Sequence, residues 1–172
     1  MDSDVAALQA DLVRIVARVR NADYMTEACQ FVQGQARMLA PGDTGQLQNS
    51  ILYDVERKGH LFWARVEGKV YTDLSYAPYV ELGTGPKGAE NHAGISPAVT
   101  PSYTLEPWWV HESMIPPGTG EKYHWPAYET DDGTFYLVSG QPAQPFLYPA
   151  MADNEDKILA ILKKGIVKAM EG

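Results

Sequence analysis

Apolar positions divide the first part of the chain into two helical patterns whose phases do not match. Val5, Leu8, Leu12, Ile15 and Val19 recur at steps of three and four, which predicts one amphipathic helix over residues 4–19. Ser3 or Asp4 can cap its start. The next apolar set is Met25, Ala28, Phe31, Val32, Ala36 and Leu39, out of step with the first. Asn21-Ala22-Asp23 marks the slip, so the pattern predicts either a kinked helix or two helices. Ala40-Pro41-Gly42 ends the helical region, because proline turns its predecessor away from helical angles and glycine loosens the chain.

Alternation then replaces the helical period. Ser50 to Glu56 places Ile51, Tyr53 and Val55 on one face of a strand. Leu61 to Glu67 and Lys69 to Asp73 are rich in aromatic and β-branched residues, with Gly68 between them as a tight turn or bulge. Thr134 to Ser139 reads as a returning strand, and a last helix falls within Leu147 to Met170 with Ile158, Leu159, Leu162, Ile166 and Met170 on one face. Asp153, Glu155 and Asp156 precede Lys163, Lys164 and Lys168, the order that complements a helix dipole. From Gly83 to Asp132 glycine, proline and aromatics allow no assignment, yet Tyr103, Trp108, Trp109, Tyr123, Trp125 and Tyr128 carry too much apolar surface for disorder. The expectation is an α+β fold in one domain over residues 1–172. It has an antiparallel-dominated sheet of about four or five strands, packed by a long N-terminal helix and a C-terminal helix. A long aromatic- and Pro/Gly-rich loop is inserted at about residues 84–133.

Charge and cysteine content narrow the function. Fourteen basic residues against 22 acidic ones give a net charge of −8, which repels phosphate and excludes non-specific gripping of nucleic acid. An acidic surface can still line a passage through which DNA slides. Cys29 is the only cysteine, so an intrachain disulfide is excluded, and its helical position reads as a small buried hydrophobe. The acidic start, Met1-Asp2-Ser3-Asp4, is not followed by an apolar run of signal-peptide type. No segment reaches the roughly 18 apolar residues of a membrane span. Synthesis and assembly in a cytoplasm, with no membrane partner, are expected.

Candidate catalytic motifs fail on their missing parts. Asp43-Thr44-Gly45 matches the tripeptide of aspartic proteases, but that chemistry needs two carboxylates sharing a proton and the chain has one copy. A turn or cap role for Asp43 is the plainer reading. His111-Glu112-Ser113-Met114-Ile115 begins like a zinc-protease helix, with isoleucine where the second histidine belongs. His60, His92 and His124 show no metal-ligand spacing. Gly83-Thr84-Gly85-Pro86-Lys87-Gly88 lacks the Gly-Lys-Ser/Thr ending of a phosphate loop and a helix to follow it. Gly94-Ile95-Ser96-Pro97-Ala98 lacks the second glycine of a nucleophile elbow. Catalytic residues, metal ligands and cofactors are therefore not expected.

Three segments carry a resemblance. Ala40-Pro41-Gly42-Asp43-Thr44-Gly45-Gln46-Leu47-Gln48-Asn49-Ser50-Ile51 resembles the A-P-x-D-T-G-x-L-x-x-S-I signature of the tail-completion minor tail proteins of tailed double-stranded-DNA phages, of the lambda minor tail protein Z type. Tyr76-Ala77-Pro78-Tyr79-Val80-Glu81-Leu82-Gly83-Thr84-Gly85 resembles the second signature of that family, Y-A-x-Y-V-E-x-G-T. Gln144-Pro145-Phe146-Leu147-Tyr148-Pro149-Ala150-Met151 is similar to the third, P-F-L-x-P-A followed by an apolar residue. In physical terms Asp43-Thr44-Gly45 makes a sharp helix-to-strand junction, with Gly45 free to take positive φ. Glu81 could pin the Gly83–Gly85 amides. Phe146 and Leu147 between Pro145 and Pro149 form an apolar knuckle that docks the last helix onto the sheet.

The resemblance implies a structural virion subunit at the head–tail junction or the top of the tail. It would work in a closed ring of about six copies made by heterologous contacts. Its partners would be connector or stopper, tail-terminator and tail-tube proteins, with DNA only as cargo through the channel. Trp108, Trp109, Tyr123, Trp125 and Tyr128 are candidate contacts to a neighbour, since Trp and Tyr dominate interface energetics. The alternative is that Trp108, Trp109 and Trp125 form a satellite core beneath the loop. Rival readings are a tail terminator, a module that decorates the virion or binds the host, and an aspartic-type phage protease pairing Asp43 across a dimer.

Overall fold

The computed structural model describes residues 2–21, 23–42, 45–59 and 65–171. The chain begins with α1 (Asp2–Asn21), α2 (Tyr24–Leu39) and α3 (Gln46–Ser50), then strands β1 (Ile51–Lys58) and β2 (Arg65–Thr72). Next come α4 (Ala77–Leu82), α5 (Gly85–Glu90), β3 (Trp108–His111), a 3-10 turn at Glu112–Met114, α6 (Thr119–Lys122), β4 (Ala127–Thr130) and β5 (Gly133–Val138). Helices α7 (Leu147–Ala152) and α8 (Glu155–Glu171) close the chain. These elements form two compact units, one of residues 1–74 with 146–172 and the other of residues 75–145. The class is α+β. The expected single sheet, however, is two separate antiparallel sheets, a pair β1-β2 and a triplet in the order β3-β5-β4.

In the first unit α2 is the hub, packing on β1, β2, α7 and α8, while α1 lies against α8. The phase slip near residue 22 is therefore a division into two helices. Ala28, Cys29 and Ala36 are buried on α2, and their small side chains let it approach the strands closely. Leu39, expected on the same stripe, is exposed instead, while Ala36 and Ala40 on either side of it stay buried. Burial pushes the Cys29 thiol above its ordinary pKa, with the Asp54 carboxylate adding to the effect.

Ile51, the first residue of β1, is fully buried, and its carbonyl accepts from Gln33 Nε2 at 2.7 Å and Arg37 Nη2 at 3.0 Å, both on α2. Tyr53 and Val55 follow it on the half-buried face, whereas Leu52 and Asp54 are exposed. Pairing runs from Ile51 opposite Thr72 to Lys58 opposite Arg65. Strand β2 passes straight through Gly68, which stands opposite Val55. The turn or bulge expected there is thus a notch in a continuous strand. A Cβ at Gly68 would overlap Cys29 Sγ and lie 3.0 Å from Met25 Sδ, so α2 sits where a side chain would otherwise stand. Residues 60–64, expected to begin the second strand, lie outside the described residues.

Between α2 and β1 the short α3 starts at Gly45, whose φ of 70° suits glycine. Leu47 is buried, Gln48 Nε2 donates to the Ala40 carbonyl at 2.9 Å, and the Ser50 and Thr72 hydroxyls bond at 2.7 Å. At the other end of the chain the expected single helix is broken at Asp153-Asn154. The buried Asn154 donates its side-chain amide to the Ala150 carbonyl at 3.2 Å, while its own carbonyl accepts from Ile158 N at 3.0 Å. Helix α7 packs on α2. Helix α8 turns Ile158, Ile161, Leu162 and Ile166 inward, and the expected face members Leu159 and Met170 are exposed.

The notch at Gly68 yields a prediction. Gly68→Ala should destabilise the protein by roughly 1–3 kcal/mol, the usual cost of overpacking, read as a lower urea midpoint. Cys29→Ala, which removes the overlapping sulfur, should recover part of that loss in the double variant. Strictly additive costs would show that the two positions do not press on each other.

Candidate functional site

The second unit is built around a glycine belt. Thr84 forms an isolated antiparallel bridge with Gln141, its N–H donating to the Gln141 carbonyl at 2.9 Å and its carbonyl accepting from Gln141 N at 3.1 Å. Gln141 Nε2 donates to the Tyr79 carbonyl and Gln144 N to the Val80 carbonyl, so residues 139–144 are strapped onto α4 and α5. Glycine is required on both sides of the strap. A Cβ at Gly83 would come within 2.7 Å of Ala143 N, and one at Gly140 would overlap the Thr84 carbonyl. At Gly85, with φ 61°, it would meet Trp108 Cζ3 at 2.8 Å.

This belt accounts for the phosphate-loop look of residues 83–88. The helix expected to be missing is present as the short α5, yet the amides at its start are already used. Gly83 N and Thr84 N bond to the Tyr79 and Gln141 carbonyls, Lys87 N to the Ser139 carbonyl and Gly88 N to the Thr84 carbonyl. Ala77 is buried at the start of α4, while Tyr76 and Tyr79 are exposed. Tyr103 locks the following segment from above, donating its hydroxyl to the Leu82 carbonyl at 2.7 Å and stacking on His92. The stretch 84–133 is therefore structured, with its own helices and strands where a loop was expected.

The triplet sheet sorts the candidate aromatics onto two faces. Because neighbours along a strand point to opposite sides, Trp108 and Trp109 part company. Trp108 stands opposite Val138 and Val110 opposite Tyr136, on the face that packs against α6. Trp109 stands opposite Leu137, and His111 and Tyr128 both stand opposite Phe135, on the other face. Trp109 and Tyr128 are 52% and 64% exposed, too open for a satellite core.

On the α6 side the backbone carries an unusual conformation. His124 has φ 51°, sparsely populated for a side-chain-bearing residue, and it turns the chain so that Tyr123 and Trp125 stack with ring centroids 5.8 Å apart. Trp125 also meets Tyr136 edge-on at 6.4 Å, and its N–H donates to the Gly120 carbonyl at 2.9 Å. Gly120 has no room for a side chain, since a Cβ there would overlap the Tyr136 ring. Tyr136 is buried and donates its hydroxyl to Glu121 Oε1 at 2.7 Å. That bond holds the Glu121 carboxyl below the ordinary carboxylate range and raises the Tyr136 phenol. Trp108, Tyr123, Trp125 and Val138 line a groove of about 580 Å³ whose polar edge is Lys87, Thr84, Gln141 and Gln144.

Among the described residues, the other expected site residues are not part of the groove lining. Pro41, Gly45, Leu47 and Ser50 sit at the α2–β1 junction of the first unit, and Asp43 and Thr44 lie outside the described residues, as does His60. Phe146 and Ala150 are fully buried in the first unit, with Leu147 and Pro149 half-buried beside them, whereas Pro145 ends the second unit. His111 is held within its own strand end, Nε2 to the Asp132 carbonyl at 3.0 Å and Nδ1 to Ser113 Oγ at 2.7 Å. Among the described residues no group of His, Cys, Asp and Glu could hold a metal, and no helix is long and apolar enough to cross a membrane. Sequence reasoning missed Gly120 and Glu121; the Gly118-Thr119-Gly120 run was their one visible signal.

Comparison with known families finds a similarity over part of the chain. Residues 6–83, a little under half of the 172, match the family described as "Bacteriophage HK97-gp10, putative tail-component". The match contains the first two resemblance blocks almost to the end of the second, and stops before the third and before the aromatic groove. It is to the HK97-gp10 description and not to a lambda Z type. No curated protein and no solved structure matches the chain.

Two outcomes test the groove wall. Gly120→Ala should cost roughly 1–3 kcal/mol by overpacking against Tyr136, seen in thermal unfolding. In Tyr136→Phe the Glu121 carboxyl should titrate at a higher pH, measured by NMR. With its folded pKa lowered, Glu121 stabilises above its unfolded pKa, and that contribution is lost as pH falls through the folded value. The Phe variant should lack this acid-side loss.

Proposed function

We propose that this chain is a structural protein of a tailed-phage virion, a tail-completion or head–tail joining subunit that works by assembly and not by catalysis. The observation that carries the reading is the match of residues 6–83 to a phage tail-component family. Around it stand the acidic composition, compatible with DNA passing without sticking, and the open sheet face of Trp109 and Tyr128. Exposed aromatics on a rigid antiparallel sheet are suited to a subunit contact, because little side-chain entropy is lost when they are buried. In this reading copies of the chain close into a ring between the capsid connector and the tail tube, and the face with Trp109 and Tyr128 meets the next copy or the tube.

Deleting the gene in a phage that carries it should leave DNA-filled heads and detached tails, scored by electron microscopy. Fully assembled, infectious particles without the chain would sink the proposal, and overlong tails would make it a tail terminator instead. Trp109→Asp with Tyr128→Asp should leave the circular dichroism unchanged yet lower incorporation into particles at least about tenfold, as expected when interface anchors are lost.

A further inference from the structure

We infer that the groove of the second unit is a docking site for an extended, proline-rich segment of another protein that carries one acidic residue. Its size suits a few residues of such a peptide: about 580 Å³ falls within the range of ligand clefts. Its walls are the flat rings of Trp108, Tyr123 and Trp125, the surface on which polyproline-II peptides are recognised. Such peptides expose carbonyl acceptors and few N–H donors. The groove answers with side-chain donors that are unspent among the described residues, the indole N–H groups of Trp108 and Trp125, the Gln144 side-chain amide and the Lys87 ammonium. Lys87 is the single charged side chain in the lining, which asks for one carboxylate on the ligand. The left-handed His124 holds two of the rings in place before binding, so little ordering is needed.

The chain's own proline stretches are not free to fill the groove. Pro101 to Pro107 is pinned through Tyr103 to Leu82, and Pro116-Pro117 runs directly into the turn that starts α6, with Thr119 N donating to the Pro116 carbonyl. The occupant is therefore a partner. The inference stands on the groove alone, and loss of the virion reading leaves it intact.

The test uses the full chain and a fluorescein-labelled ten-residue peptide of prolines with one central glutamate, followed by anisotropy. Saturable binding is expected, about threefold weaker in Lys87→Glu and restored in that variant by a peptide with lysine in place of the glutamate. Trp125→Ala should abolish it, while the surface variant Lys87→Glu keeps the result independent of folding. Equal binding of a glycine-serine peptide of the same length and charge would overturn the inference. So would absence of binding at millimolar peptide, displacement only by an oligosaccharide, or self-association of the chain that occupies the groove.

Discussion

Close approach of α2 to the β1–β2 pair is the constraint on which the first unit depends. A helix can sit this near a sheet only if both surfaces are small at the crossing, and here Ala28 and Cys29 face the bare backbone of Gly68. The approach brings Gln33 and Arg37 within reach of the Ile51 carbonyl, which the two side chains satisfy together. That carbonyl lies at the start of β1, so the helix fixes where the strand begins and, through the pairing of Ile51 with Thr72, the register of the pair. A two-stranded sheet is marginal by itself, and the helix is what makes it stable. Helices α7 and α8 then have a fixed surface on which to pack.

The second unit obeys a different version of the same rule. There the close contact is backbone against backbone, residues 139–144 lying across α4 and α5, and glycines at 83, 85 and 140 leave the space. Residues 83–88, which suggest a nucleotide-binding loop in sequence, are in fact the surface on which that strap lies, with the amides of Gly83, Thr84, Lys87 and Gly88 consumed internally. What the strap supplies is a rigid edge to the groove, with Lys87 and Gln144 on it and the ring wall of Trp108, Tyr123 and Trp125 alongside. Rigidity and aromatic surface are the means of recognition by shape.

The sequence by itself determined the α+β class, the N-terminal helical region with its phase slip at residues 21–23, β1, β5 and the burial of Cys29, because each follows from a local period or a local break in one. It also carried the family resemblance, whose first two blocks fall largely inside the matched residues 6–83. What only the tertiary structure decided was everything that depends on distant neighbours. Gly68 reads as a turn until Cys29 and Met25 are placed opposite it. The division into two sheets, the strap under Gly83–Gly85 and the separation of Trp108 from Trp109 onto opposite faces rest on pairings between residues far apart in the chain. Periodicity records which side of an element is apolar. It does not record which partner that side will meet, and it was the partner that turned one list of aromatics into an open face and a groove.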